Sequence, residues 1–91
     1  MNQLQLAECV EFEAMSRDKQ MNALRRHGVY VGKLKNLGGT KLLYQYRSIY
    51  VEVVYKVHRH DIEDVQCFAD TDILDLYLTY DNFEKNEEDA D

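Results

Sequence analysis

Three short stretches carry residue types that could build a chemical site. His58 and His60 alternate ahead of Asp61, with Asp64 close by. In an extended segment, residues two apart share a face, so two imidazoles and a carboxylate could reach one metal ion. A structural or catalytic metal site needs further rigid ligands, and the only other histidine, His27, lies far upstream. An exposed polar hairpin loop is the simpler reading, and no metal or other cofactor is expected. Cys67 could meet His58 or His60 across a tight hairpin, but thiol catalysis also needs a third group to orient the base, and none stands out. Gly38-Gly39-Thr40-Lys41 is similar to the end of a phosphate-binding loop, yet it lacks the opening glycine and a strand, not a helix, follows. It reads as a hairpin turn. With no nucleophile–base pair and no paired carboxylates, the chain is not expected to be an enzyme.

Two other sets of residues suit binding. Tyr44, Tyr46, Tyr50 and Tyr55 fall within residues 40–57, a run of β-branched and aromatic residues without Gly or Pro. An open aromatic sheet face on a small domain marks a partner or self-association surface. The candidates for it are Tyr50, Val54, Tyr44 and Phe68. The other set is basic: Arg25, Arg26, Lys33 and Lys35, with Tyr30 interleaved, could follow a phosphate backbone.

The charge distribution bears on the basic set. The 91 residues carry a net charge of −6, but unevenly. Residues 16–36 hold six Lys/Arg against Asp18, while residues 61–91 hold twelve acids against Lys85. A basic middle ahead of an acidic end suits nucleic-acid or partner binding, and equally two solvated faces. An acidic tail could also fold over the basic segment and screen it.

Length and composition allow one modest core. Cys9 and Cys67 form no CxxC pair and are too sparse for a disulfide scaffold, so reduced, buried thiols in a cytoplasmic protein are expected. The opening residues lack a basic segment and a continuous apolar run, and do not read as a signal peptide. No window approaches the apolar length of a membrane span.

The elements that must position these residues follow from periodicity. Residues 2–14 permit helix or strand; Leu6, Cys9, Val10 and Glu13 fall at helical spacing, while Leu4, Leu6, Val10 and Phe12 alternate. Helix is preferred. Ser16 reads as the N-cap of a helix from Arg17 to His27, which Arg25, Arg26 and His27 close in favourable charge relation to its dipole. Gly28 reads as its left-handed C′ residue. Strands are expected at Val29–Leu34, on either side of Arg47-Ser48, and at Ile62–Ala69. Neither Arg47 nor Ser48 accepts positive φ readily, so a wider turn taking in Tyr46 or Ile49 is expected there. Thr71 or Asp72 could cap a short helix from Ile73 to about Tyr80 with Ile73, Leu74, Tyr77 and Leu78 inward. The predicted fold class is α+β: two N-terminal helices packed on a four-stranded antiparallel β-meander, a short C-terminal helix and a disordered acidic tail. The domain spans residues 1–80 and the tail 81–91, with the helices expected on one sheet face.

The run Leu42-Leu43-Tyr44-Gln45-Tyr46-Arg47-Ser48-Ile49-Tyr50-Val51-Glu52-Val53-Val54-Tyr55 resembles the central strands of the small ribosome-dependent RNase toxins of toxin–antitoxin modules. Those proteins also place two helices before a short antiparallel sheet. They are basic and draw several Arg, Lys or His residues from the sheet, whereas this run and its margins offer only Lys41, Arg47 and Lys56. The resemblance therefore carries no catalytic residues over. The function expected is a small intracellular interaction module acting through its Tyr-rich sheet face, as a homodimer or on another protein. The alternative is a nucleic-acid-associated accessory protein using the basic middle.

Overall fold

Ser16 settles where the first two elements divide. The computed structural model describes residues 3–36, 38–56 and 61–78, without the Asn36 side chain. Residues 2–14, open between helix and strand on spacing alone, resolve as helix α1 (Gln3–Ala14). At φ −65° and ψ 160°, Ser16 stands outside both helices, and its hydroxyl accepts from the Lys19 amide at 3.3 Å to start α2 (Arg17–His27). Gln20, buried on α2, donates its Nε2 to the Phe12 carbonyl at 2.9 Å. That carbonyl lies in the last turn of α1 and also accepts from the Met15 amide at 3.1 Å, so the two helices are joined through a backbone group at the end of α1.

Gly28 is not a left-handed cap. Its φ of −81° and ψ of 151° are extended, and its amide closes the last helical turn onto the Leu24 carbonyl at 2.8 Å. Glycine is required there for room: a Cβ would stand 2.6 Å from the Leu24 carbonyl oxygen. The chain thus leaves the helix directly into strand β1 (Val29–Asn36).

β1 is followed by β2 (Gly39–Tyr46), β3 (Ile49–Lys56) and β4 (Ile62–Phe68). They pair antiparallel in the order β1-β2-β3-β4, the expected meander, with irregular register at Tyr30/Gly32 and at Val54/Tyr55. The β1–β2 turn is tight, with Asn36 opposite Gly39, whose φ of 140° suits glycine. The β2–β3 turn is tighter than its residues suggest. Tyr46 pairs with Ile49, so Arg47 and Ser48 alone make the turn, and Arg47 adopts a positive φ of 54°.

Alternation divides the sheet into two apolar faces. On the first, Tyr46, Ile49, Val51 and Val53 are buried against Cys9 and Phe12 of α1 and Leu24 of α2, with Tyr44, Tyr55, Val65 and Cys67 packed at the margin. On the second, Leu34 and Leu43 are buried beneath Tyr77, with Tyr50, Ile73 and Leu74 around them. Tyr77 belongs to a third helix, α3 (residues 72–78), whose opening turn is set by Asp70, its carboxylate accepting from the Asp72 amide at 3.0 Å. The helices therefore do not share one face. α1 and α2 cover one side and α3 the other, because Leu34, Leu43 and Tyr50 leave a second apolar surface to be removed from water. Leu78 stays exposed and is not part of the α3 packing stripe. Residues 81–91, the expected acidic tail, lie outside the described residues, as do His58 and His60.

Candidate functional site

Tyr44, Tyr50, Val54 and Phe68 do not form one surface. Tyr50 stands opposite Phe68 in the β3–β4 register, and Val54 shares their face. Tyr44 points to the other side, where its ring meets Tyr30 edge-on with centroids 5.9 Å apart. Burial, with Tyr55 and Tyr30 nearby, pushes the Tyr44 phenol up. Tyr50, Val54 and Phe68 are each only half-exposed, and Tyr50 packs against the α3 cluster. The face expected to be open is partly roofed by α3.

Beneath that roof is a buried polar contact. Glu52, 2% exposed, accepts a hydrogen bond from the Tyr77 hydroxyl at 2.7 Å. Lys41 Nζ approaches the other carboxylate oxygen at 4.0 Å from a side chain 39% exposed. Burial, then the adjacent Glu52 carboxylate, raises the Tyr77 phenol well above its ordinary value. A neutral phenol donating to a carboxylate fixes α3 over the sheet. Gly32 belongs to the same fit, since a Cβ there would touch the Tyr77 ring at 3.4 Å. This group is enclosed by its own strands and helix, and its contacts are those of a packing lock.

A second polar cluster ties α1 to the β2–β3 turn. The Ser48 amide donates to Glu8 Oε1 at 3.1 Å, and the Ser48 hydroxyl bonds the same oxygen. Gln5 Nε2 donates to the Ser48 carbonyl at 3.1 Å, and Glu11 reaches Arg47 at 3.9 Å. Arg47 also lies over the Tyr46 ring, 5.5 Å from its centroid, and Tyr46 meets Phe12 at 5.2 Å. Gln5, Glu8 and Glu11, three residues apart, thus grip the turn along one line of the helix and compensate the positive φ of Arg47.

With that side of α1 engaged, its opposite side meets none of the other described elements. Residues advance by about 100° along a helix, which places Leu6, Ala7, Val10 and Ala14 together, away from Cys9 and Phe12. Leu6 is 51% and Val10 59% exposed, and Leu4 at the flank is also exposed. Glu11 and Glu13 border the stripe, and α1 carries no basic residue. The helix therefore has two apolar stripes, one of them without a partner among the described residues. The spacing of Leu6 and Val10 marks it in the sequence, but read against a single core it appears as part of the inward face. Val29, Tyr30 and Val31 on edge strand β1 are exposed as well.

The basic residues are strung out rather than gathered. Arg25 and Arg26 occupy the last turn of α2, whereas Lys33 and Lys35 lie along β1, about 13 and 20 Å beyond its first residue at strand rise. All four are exposed. Asp64, a proposed ligand beside the histidines, spends its carboxylate on the Val65 amide at 2.8 Å and Gln66 Nε2 at 3.1 Å. Among the described residues there is no group of three His, Cys, Asp or Glu side chains that could hold a metal. No helix among them is long and apolar enough to cross a membrane.

The two cysteines, far apart in sequence, are brought together. Cys9 of α1 and Cys67 of β4 sit in the same apolar cluster, near enough for each thiol to perturb the other. Burial raises both thiols, that of Cys67 to about 12. Compared with known proteins, the chain matches no family model, no curated sequence and no solved structure.

Proposed function

We propose that this chain is a small protein-interaction module whose contact surface is the outer stripe of α1, engaging a partner that offers an apolar helix or groove rimmed by basic side chains. The observation that carries the reading is the exposed stripe of Leu6, Ala7, Val10 and Ala14 on a helix already packed on its other side. A helix apolar on two sides is characteristic of one enclosed by protein on both. The acidic border of Glu11 and Glu13 sets the charge of the partner: basic groups at the rim complement it. A second copy would bring another acidic α1. Twelve residues make a helix about 18 Å long, too short to supply by a flat contact the roughly 800 Å² per partner of a standard interface. A partner that cups the helix uses the stripe more fully.

The test compares immobilised wild-type chain with Leu6→Glu, Val10→Glu. Both substitutions lie on the solvent side, so circular dichroism and Tm should be unchanged. A partner retained by wild type, lost by the double variant and released by salt supports the reading. Identical retention by the two forms, or concentration-dependent self-association in sedimentation that the variant abolishes, overturns the reading or its choice of occupant.

A further inference from the structure

Cys9 and Cys67 are separated by most of the chain, yet they meet where α1 packs on β4. Their thiols lie on the helix side and the sheet side of one apolar cluster, near enough for each to perturb the other. Cys67 lies opposite Val51 in the strand register, so its side chain necessarily points to the helix-covered face. Cys9 is buried and Cys67 half-buried, and both are free thiols. Neither the α1–turn clamp nor the Tyr77–Glu52 contact uses them. Two thiols brought into one cluster from different elements form a candidate cross-linkable pair, which neither cysteine would be alone.

We propose that Cys9 and Cys67 are a dithiol modification site that closes to an intramolecular disulfide on reaction with a small-molecule disulfide, pinning α1 to β4. The reaction is two successive exchanges. The more accessible Cys67, as thiolate, attacks one sulfur of glutathione disulfide, forming a mixed disulfide and releasing one glutathione thiolate. Cys9, as thiolate, then attacks the Cys67 sulfur and expels the second glutathione thiolate. The protein loses two electrons and two protons; one glutathione disulfide becomes two glutathione thiols. Burial holds both sulfurs protonated at neutral pH, so exchange is slow there and quickens as pH rises. The closed bond would join α1 to the far edge of the sheet, whereas the polar clamp joins it only to the β2–β3 turn.

The test uses the full chain in a mixture of reduced and oxidised glutathione at pH 8, quenched with N-ethylmaleimide and read by intact mass and peptide mapping. The expected product is a monomer two hydrogens lighter, without alkylation, and with Cys9 and Cys67 in one cross-linked peptide. Cys9→Ser should stop at the glutathione adduct of Cys67. Wild type in 8 M urea, run in parallel, needs no folded variant: the disulfide-to-dithiol ratio should be at least about tenfold higher for the native chain, because folding holds the sulfurs together. A native ratio no higher than the urea ratio, or products limited to glutathione adducts and intermolecular dimers, would overturn the proposal.

Discussion

Removing one oxygen atom, by Tyr77→Phe, should cost this protein a large part of its stability. The ring of Tyr77 remains to cover Gly32, Leu34 and Leu43, so no cavity opens. What disappears is the 2.7 Å donor to Glu52, a carboxylate only 2% exposed. Lys41, at 4.0 Å and well exposed itself, is a poor substitute. Loss of a hydrogen bond to a charged group costs about 1.5–3 kcal/mol, and a buried charge left short of partners lies toward the upper end. We expect about 2–3 kcal/mol out of the roughly 5–15 kcal/mol that hold a domain together, and a fall in Tm of about 10–20 °C. Urea unfolding followed by far-ultraviolet circular dichroism measures it, since the chain has no Trp. The decisive control is a double-mutant cycle with Glu52→Leu: once the carboxylate is gone, Tyr77→Phe should cost little. An equal cost in both backgrounds, or a cost below about 0.5 kcal/mol with Glu52 present, would refute the role given to this contact.

Three further outcomes follow from other contacts. Glu8→Ala deprives the Ser48 amide and hydroxyl of their acceptor; it should destabilise by about 1–2 kcal/mol and speed hydrogen exchange at Ser48 and along α1. Gly28→Ala should destabilise by about 1–3 kcal/mol because its Cβ meets the Leu24 carbonyl, and Gly28→Asn, which would rescue a left-handed cap, should fare no better in thermal unfolding. In alkali, the folded chain keeps protons on Tyr77 and Cys67 that the unfolded chain sheds above its ordinary values of 10.0 and 9.0. Their stabilisation is complete below pH 9 and declines as pH rises, Cys67 contributing up to about 1.4 kcal/mol per pH unit between 9 and about 12. Cys67→Ala should flatten that part of the urea-midpoint profile.

The local chemistry of the chain was readable where one residue type has one use. Ser16, with Asp18 in the first turn and cations in the last, marked α2 to its observed ends. The β-branched and aromatic run of residues 40–57 marked β2 and β3, but Tyr44 was grouped with Tyr50 and Val54, from which alternation separates it. What could not be read were decisions made by distant contacts. Arg47 takes up positive φ because Glu8 and Gln5, some forty residues earlier, hold Ser48, and no property of Arg47-Ser48 shows that. Gly28 looked like a left-handed cap because glycine serves close approach as well as positive φ. The sidedness of α3 follows from Leu34, Leu43 and Tyr50, whose face also carries Glu52, an acid that Tyr77 covers. Spacing likewise hid the binding candidate. Leu6 and Val10 fall at helical spacing with Cys9, and only the packing separates them, Cys9 and Phe12 inward and Leu6 and Val10 outward.

We infer that the outer stripe of α1 binds an apolar, basic-rimmed protein surface. Selection from a random peptide library displayed on phage, against the immobilised full chain, tests it without a known partner. Binding through the stripe should select peptides rich in apolar residues at helical spacing with Lys or Arg flanking them, whose binding weakens at least about tenfold on Leu6→Glu, Val10→Glu and fades with salt. Peptides that bind the double variant as tightly as wild type would contradict it.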